Sequence, residues 1–184
     1  MTLYKKQNIV KNKLSMKLQV LFLLFLGGCS KQESKAVAEI IGLGENSIVG
    51  TAIFEETKEG VLLTVNIKSS KPEKLGVHIH AVGDCDSIDG STAGGHWNPT
   101  NAEHGSWGGD FFHSGDIGNI IIDESGQGQL VLVDKYGRWT LGEEERTSLF
   151  NKAIIVHAGM DDKKSQPSGA AGKRIGCGVI KRIK

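Results

Sequence analysis

The chain has 184 residues, 39% hydrophobic and 23% charged, with a formal net charge of +1. That profile excludes a membrane bundle and a disordered tail, and nothing in it advertises nucleic-acid binding. The first 28 residues hold five lysines and no acid, so from position 29 onward 17 basic residues face 21 acidic ones, a balance of about −4. Twenty-five glycines are about twice the usual share of roughly 7%, which suits short strands joined by many turns.

Residues 16–29 run from Met16 and Lys17 through an apolar stretch, Val20 to Leu26, to Gly27, Gly28 and Cys29. This is the form of a secretory signal, with Met16 a candidate true start and residues 1–28 the segment removed. The apolar stretch is far shorter than the roughly 20 residues a spanning helix requires. Leu26-Gly27-Gly28-Cys29 resembles a bacterial lipobox, in which Cys29 becomes the lipidated first residue of an envelope or periplasmic lipoprotein; a plain signal peptide cut nearby is the alternative. Residues 29–35 then read as a polar tether and residues 36–184 as the folded domain. Export leaves Cys85 and Cys177 in a compartment where disulfides persist, and the two are expected to pair. Their bridge closes a long loop, worth about 4–5 kcal/mol in the chain-entropy view.

Short apolar and β-branched runs follow in order at 36–41, 47–54, 61–68 and 75–81, then at 118–122, 129–133, 153–157 and 176–180. In the third of these, Val61, Leu63, Val65 and Ile67 alternate with Leu62, Thr64, Asn66 and Lys68, the period of a strand buried on one face. About eight such segments without βαβ alternation predict an all-β fold, a Greek-key antiparallel sandwich or flattened barrel. Residues 141–150, with their run of three glutamates, are expected to form a short helical turn. Two stretches fall outside the strand rhythm, 82–114 and 158–173, and loops this long in a compact domain are usually functional.

All six histidines, His78, His80, His96, His104, His113 and His157, lie in or beside those two loops. His78 and His80 stand two apart on an expected strand, so both rings project from one face and can grip one ion. His96, His104 and His113 with Asp116 are spaced along a glycine-rich loop. Three imidazoles and a carboxylate suit a closed tetrahedral zinc site. An all-imidazole set suits copper, which can change oxidation state.

The motifs Gly76-Val77-His78-Ile79-His80, Gly83-Asp84-Cys85, Gly95-His96-Trp97-Asn98-Pro99, His104-Gly105, His113-Ser114-Gly115-Asp116, Val156-His157-Ala158-Gly159 and Gly172-Lys173-Arg174-Ile175-Gly176-Cys177 resemble, in order, those of the copper,zinc superoxide dismutase family, in a bacterial exported form. The resemblance covers roughly residues 36–182. It implies that His78, His80, His96 and His157 hold copper, that His96, His104, His113 and Asp116 hold zinc, and that His96 bridges the two. Asp161 falls where the family has an acid joining a copper-ligating to a zinc-ligating histidine. The implied reaction is dismutation of superoxide to dioxygen and hydrogen peroxide by Cu(II)/Cu(I) cycling, with His96 taking a proton on its freed nitrogen and Arg174 orienting the anion.

Because the folded part is net negative, attraction for an anion has to be local, and Lys163, Lys164 and Lys173 are candidates to help Arg174. The aromatic run around Trp107, Phe111 and Phe112 is unusual for the family; it either packs the loop or forms an interface, for example of a homodimer. A non-enzymatic exported copper-binding protein, or a lipid-anchored scaffold whose metals only stabilise loops, would have no reason to keep both Arg174 and the bridging His96.

Overall fold

The computed structural model describes residues 34–71, 73–144 and 146–183. The signal segment, Cys29 and most of the expected tether lie outside the described residues. Nine strands are present among them: β1 Lys35–Gly42, β2 Val49–Thr57, β3 Gly60–Lys68, β4 Glu73–His80, β5 Gly118–Ile122, β6 Gln127–Asp134, β7 Ala153–His157, β8 Arg174–Val179 and the short β9 Lys181–Arg182. The first eight correspond to the eight expected runs. Lys35, expected in the tether, is already the first residue of β1.

Every strand pairing is antiparallel, and the order across the sheet is β5-β4-β7-β8-β1-β2-β3-β6, with β9 beside β1. The hairpins β1-β2-β3 are followed by a crossing to β4, and β6 crosses back to β7, which is Greek-key connectivity. The two ends of the order meet without pairing. A Cβ at Gly128 of β6 would lie 2.6 Å from the Ile121 carbonyl of β5, so the barrel is nearly closed.

The core follows from alternation. Val61, Leu63, Val65 and Ile67 of β3 point inward, as their spacing predicts, and share one core with Phe54, Ile40, Val77, Ile79, Ile154 and Val156 from four other strands of the barrel. Each such aliphatic contributes about 1.5–3 kcal/mol on burial. In β4 and β7 the alternation of burial vanishes, because the outward-facing residues are buried too. His78, His80, Ile155 and His157 lie under the two long loops, 81–117 and 158–173, which roof this outer face. The Cys85–Cys177 disulfide, with a Cα separation of 5.8 Å, fastens the first loop to β8 beside a small apolar cluster of Leu43, Ala93, Ala153 and Ile155.

Among the described residues of 141–150 the expected short helical turn is a single hydrogen-bonded turn outside any helix, closed by the Thr147 and Ser148 N–H groups donating to the Glu144 carbonyl. Thr140 N–H donates to Thr147 and Leu149 N–H to Thr140, so the segment is a loop folded back on itself. Buried Leu141 and Leu149 pin its ends to the core.

Candidate metal centre

Strand alternation puts His78 and His80 on the outer face of β4, while Val77 and Ile79 enter the core. The loop that follows doubles back: Ala81 N–H donates to the Gly95 carbonyl and Trp97 N–H to the Ile79 carbonyl, bringing His96 alongside His80. Gly115 closes the turn against the same strand edge, where a Cβ would sit 2.1 Å from the Ile79 carbonyl oxygen, so no other residue fits there. Beside them β7 ends at His157. A bulge then shifts the β7–β8 register from Val156↔Gly176 to His157↔Arg174, setting the guanidinium side chain opposite the last histidine.

Each of the four rings has one nitrogen engaged and one free. His80 Nδ1 and His157 Nδ1 face the carbonyls of Gly94 and Gly172 at 2.9 and 3.1 Å, His78 Nε2 faces Asp161 Oδ2 at 3.0 Å, and His96 Nδ1 faces Asp116 Oδ1 at 2.8 Å. These partners can only accept, so the proton of each neutral ring sits on the engaged nitrogen and the other carries a bare lone pair. The remaining atoms, His78 Nδ1, His80 Nε2, His96 Nε2 and His157 Nε2, are buried without a hydrogen-bond partner. One nitrogen from each of the four rings lies within 4.8 Å of the others. Buried lone pairs left unpaired are costly unless a cation takes them.

The second cluster shares His96. Asp116 Oδ1 stands 2.8, 3.0 and 3.1 Å from the Nδ1 atoms of His96, His104 and His113. Ligands about 2.0–2.1 Å from a tetrahedral zinc ion are separated by about 3.3 Å, so these spacings are close to those of a zinc polyhedron. His104 Nδ1 and His113 Nδ1 nevertheless find no hydrogen-bond partner, because their directions miss the carboxylate. Distances right for co-ligands and directions wrong for hydrogen bonds are what a common cation explains. The other carboxylate oxygen, Oδ2, is taken by the N–H groups of Gly105 and His113, and His113 Nε2 faces the Ala102 carbonyl.

Charge follows burial and neighbours. Burial pushes the imidazoles of His80, His157 and His96 down to about 2, 3 and 4, keeping them neutral and able to donate a lone pair. Burial also opposes charge on His104, but the carboxylates of Asp116 and Asp161 on either side outweigh it and raise the ring to about 9. Burial alone would raise the Asp116 carboxyl; the surrounding His104, His113 and His96 hold it far below the carboxylate range. The field that favours a proton there favours a divalent cation more.

Asp161 sits between the clusters, with Oδ2 at His78 Nε2 and Oδ1 at His104 Nε2, 3.0 and 2.9 Å away. Sequence reasoning missed what holds it. The Asn119 side chain of β5 donates to the Asp161 carbonyl and accepts from its N–H, at 2.9 and 2.7 Å. Gln166 makes the same reciprocal pair with the backbone of His104. Gly169, at φ +68°, passes so close that a Cβ would meet Asp161 Oδ1 and His104 Nε2. A lone Asn on a strand or a lone Gly in a loop carries no local signal for such roles.

A cleft of about 460 Å³ opens above the first cluster, lined among others by His80, His96, His157, Asn98, Gln166 and Arg174. Arg174 is braced, with Nη1 donating to the Gly90 carbonyl at 2.5 Å and Nη2 to the Gly94 carbonyl at 2.7 Å. Lys163, Lys164 and Lys173 do not line this cleft. Trp107 and Phe112 pack inward, with ring centroids 5.1 Å apart and Trp107 4.6 Å from Trp139, whereas Phe111 is 64% exposed.

Residues 48–180 match the family described as copper/zinc superoxide dismutase. The chain is 39% identical to copper-zinc superoxide dismutase 2 of Aquifex aeolicus over 163 residues, covering 86% of this chain and 94% of that one. It is 36% identical to the copper-zinc superoxide dismutase of Paramecium bursaria Chlorella virus 1, covering 89% and 90%. Among solved structures, a double mutant of a SOD-like protein from Bacillus subtilis is similar with a TM-score of 0.68 at 30% identity, covering 78% of this chain and 95% of that one.

Proposed function

Because the chain belongs to the copper/zinc superoxide dismutase family, we propose that His78, His80, His96 and His157 hold copper and that His96, His104, His113 and Asp116 hold zinc. The enzyme converts superoxide to dioxygen and hydrogen peroxide with both metals as cofactors. When bound, copper supplies the reversible one-electron change and zinc a fixed charge with no redox change of its own.

The chain's own residues do the rest. Arg174, charged at every working pH, draws the anion to the cleft floor and orients it beside His80 and His157. Its bonds to Gly90 and Gly94 leave the rest of its five-donor fork for the substrate. His96 offers Nε2 to one set and Nδ1 to the other; with Nδ1 given up to the zinc set in place of its proton, Nε2 is the atom suited to take and release a proton. Asp161 is the positioning residue that fixes the rings of His78 and His104 together.

The observation that carries this reading is the set of buried, unpartnered imidazole nitrogens in two clusters joined by one shared ring. The test is the superoxide dismutation rate of the purified protein loaded with both metals. A fast rate that falls with salt supports it. No activity, despite a four-nitrogen copper spectrum, favours the non-enzymatic copper-binding reading. For the zinc set, Asp116→Ala removes the only anionic ligand, so it loses zinc at chelator concentrations that leave copper bound. Simultaneous loss of both metals would overturn the division of ligands.

The basic start, short apolar run and Gly28-Cys29 of residues 16–29 support export and a lipid anchor at Cys29, with residues 1–28 removed. A mass spectrum of the mature N-terminus that begins at another, unmodified residue would sink the anchor. Exposed Phe111, together with 55% exposed Tyr136 packed against Trp107 and Phe112, supports a homodimer through this loop.

A further inference from the structure

Arg174 and Gly172 line two cavities. One is the cleft above the histidines; the other is a hollow of about 560 Å³, lined also by Leu43, Ile88, Lys173 and Asp89. Asp89 is exposed and directly precedes Gly90, whose carbonyl braces the guanidinium. Its orientation is fixed, because Oδ1 accepts from the Ser91 N–H at 2.9 Å at the start of the 3-10 turn Ser91–Ala93. The hydroxyl and N–H of Ser91 hold its carboxyl below the ordinary range, so it is ionised at working pH. Among the described residues no ion pair within 4.0 Å joins Asp89 to Arg174 or Lys173. Its charge is therefore not cancelled by contact, and Asp89 is the acid acting on the Arg174 guanidinium.

We propose that Asp89 is a specificity-determining residue, which weakens anion capture at Arg174 according to the valence of the anion and so favours singly charged superoxide over multiply charged competitors such as phosphate. The inference rests on the dismutase reading. Its basis is that Coulomb energy scales with ligand charge. One unit charge acting in water from within a Debye length, about 8 Å, changes the binding of a monoanion by about two- to threefold. The same charge changes that of a dianion by the square, about four- to ninefold. A negative charge beside the capturing arginine thus costs superoxide little and phosphate more. The net-negative domain acts in the same sense from afar, but only a nearby charge keeps its effect once salt screens distances beyond about 8–10 Å.

The test compares the metal-loaded wild type with Asp89→Asn, which keeps an acceptor for Ser91 N–H, and with Asp123→Asn. The latter changes net charge equally at the β5–β6 turn, next to the Glu73 end of β4 and about 23 Å along that strand from His80. Three quantities are read: dismutation rate against ionic strength, azide affinity from the copper absorption band, and displacement of azide by inorganic phosphate at pH 7.8. Asp89→Asn is expected to raise the rate and azide affinity about two- to threefold at low salt and phosphate affinity about four- to ninefold. The gains shrink toward unity near 1 M salt, where the Debye length is about 3 Å. Asp123→Asn stays at wild-type values. The proposal is overturned if Asp89→Asn matches wild type, if Asp123→Asn rises as much, or if azide and phosphate gain by the same factor. An inactive wild type whose azide and phosphate affinities still respond to Asp89→Asn in this ratio would overturn the dismutase reading and leave the valence filter standing.

Discussion

Replacing Arg174 by alanine lowers the dismutation rate constant about ten- to a hundredfold while copper and zinc stay bound. The size follows from what is lost: a charge-assisted hydrogen bond to an anion in a partly dehydrated cleft is worth about 1.5–3 kcal/mol. Retention of the metals follows from position. Arg174 touches no ligand nitrogen; it reaches the site through the Gly90 and Gly94 carbonyls. The Gly94 carbonyl also accepts from His80 Nδ1 and keeps that bond in the variant. Arg174→Lys restores charge but not the two-pronged brace, so it recovers part of the rate and most of its salt dependence. Stopped-flow rates over a range of salt, with metal content from mass spectrometry of the intact protein, decide the matter. An unchanged rate would remove Arg174 from the capture of substrate. Loss of copper along with activity would make it a structural brace instead.

The barrel was legible in the sequence because its strands obey a local rule. In β3 the inward set Val61, Leu63, Val65 and Ile67 is written out residue by residue. The gathering of the histidines was legible for a related reason. Six histidines gathered at two loops are a compositional anomaly, and the two-residue step from His78 to His80 needs only strand geometry to be understood. What stayed hidden depends on approach between distant segments. Asn119 meets Asp161 across 42 residues and Gln166 meets His104 across 62, and neither pair has a pattern in the chain. The bulge that sets Arg174 opposite His157 is a register shift of one residue, which alternation alone does not disclose. Residues 141–150 stop at a single hydrogen-bonded turn. The glutamates favour a helix locally, but the backbone donors of Thr140 and Leu149 are spent within the loop while Leu141 and Leu149 are drawn into the core.

Gly169→Ala is the change expected to damage the centre most for its size. Gly169 occupies φ +68°, where an L-residue costs about 1–2 kcal/mol. The added methyl also has no space: its Cβ falls on Asp161 Oδ1 and lies 2.6 Å from His104 Nε2. Either the loop lifts or the carboxylate swings away, and both outcomes break the link that orients His78 and His104 from one side chain. Loss of such an outer partner lowers metal affinity about 10- to 100-fold. Zinc is affected more than copper. His104 is one of the four proposed zinc donors, and its free Nδ1 is aimed by the bond at Nε2, whereas His80, His96 and His157 are aimed by partners outside this loop contact or through Gly172. The expected result is weaker zinc retention in a chelator competition and a lower unfolding temperature for the zinc-loaded protein. The metal-free protein falls by less, through the backbone strain and the lost Asp161 contacts. If Gly169→Ala retained zinc like the wild type while Asp161→Ala lost it, the loop would have to relax without disturbing Asp161. The close approach of Gly169 would then be incidental to the metal site.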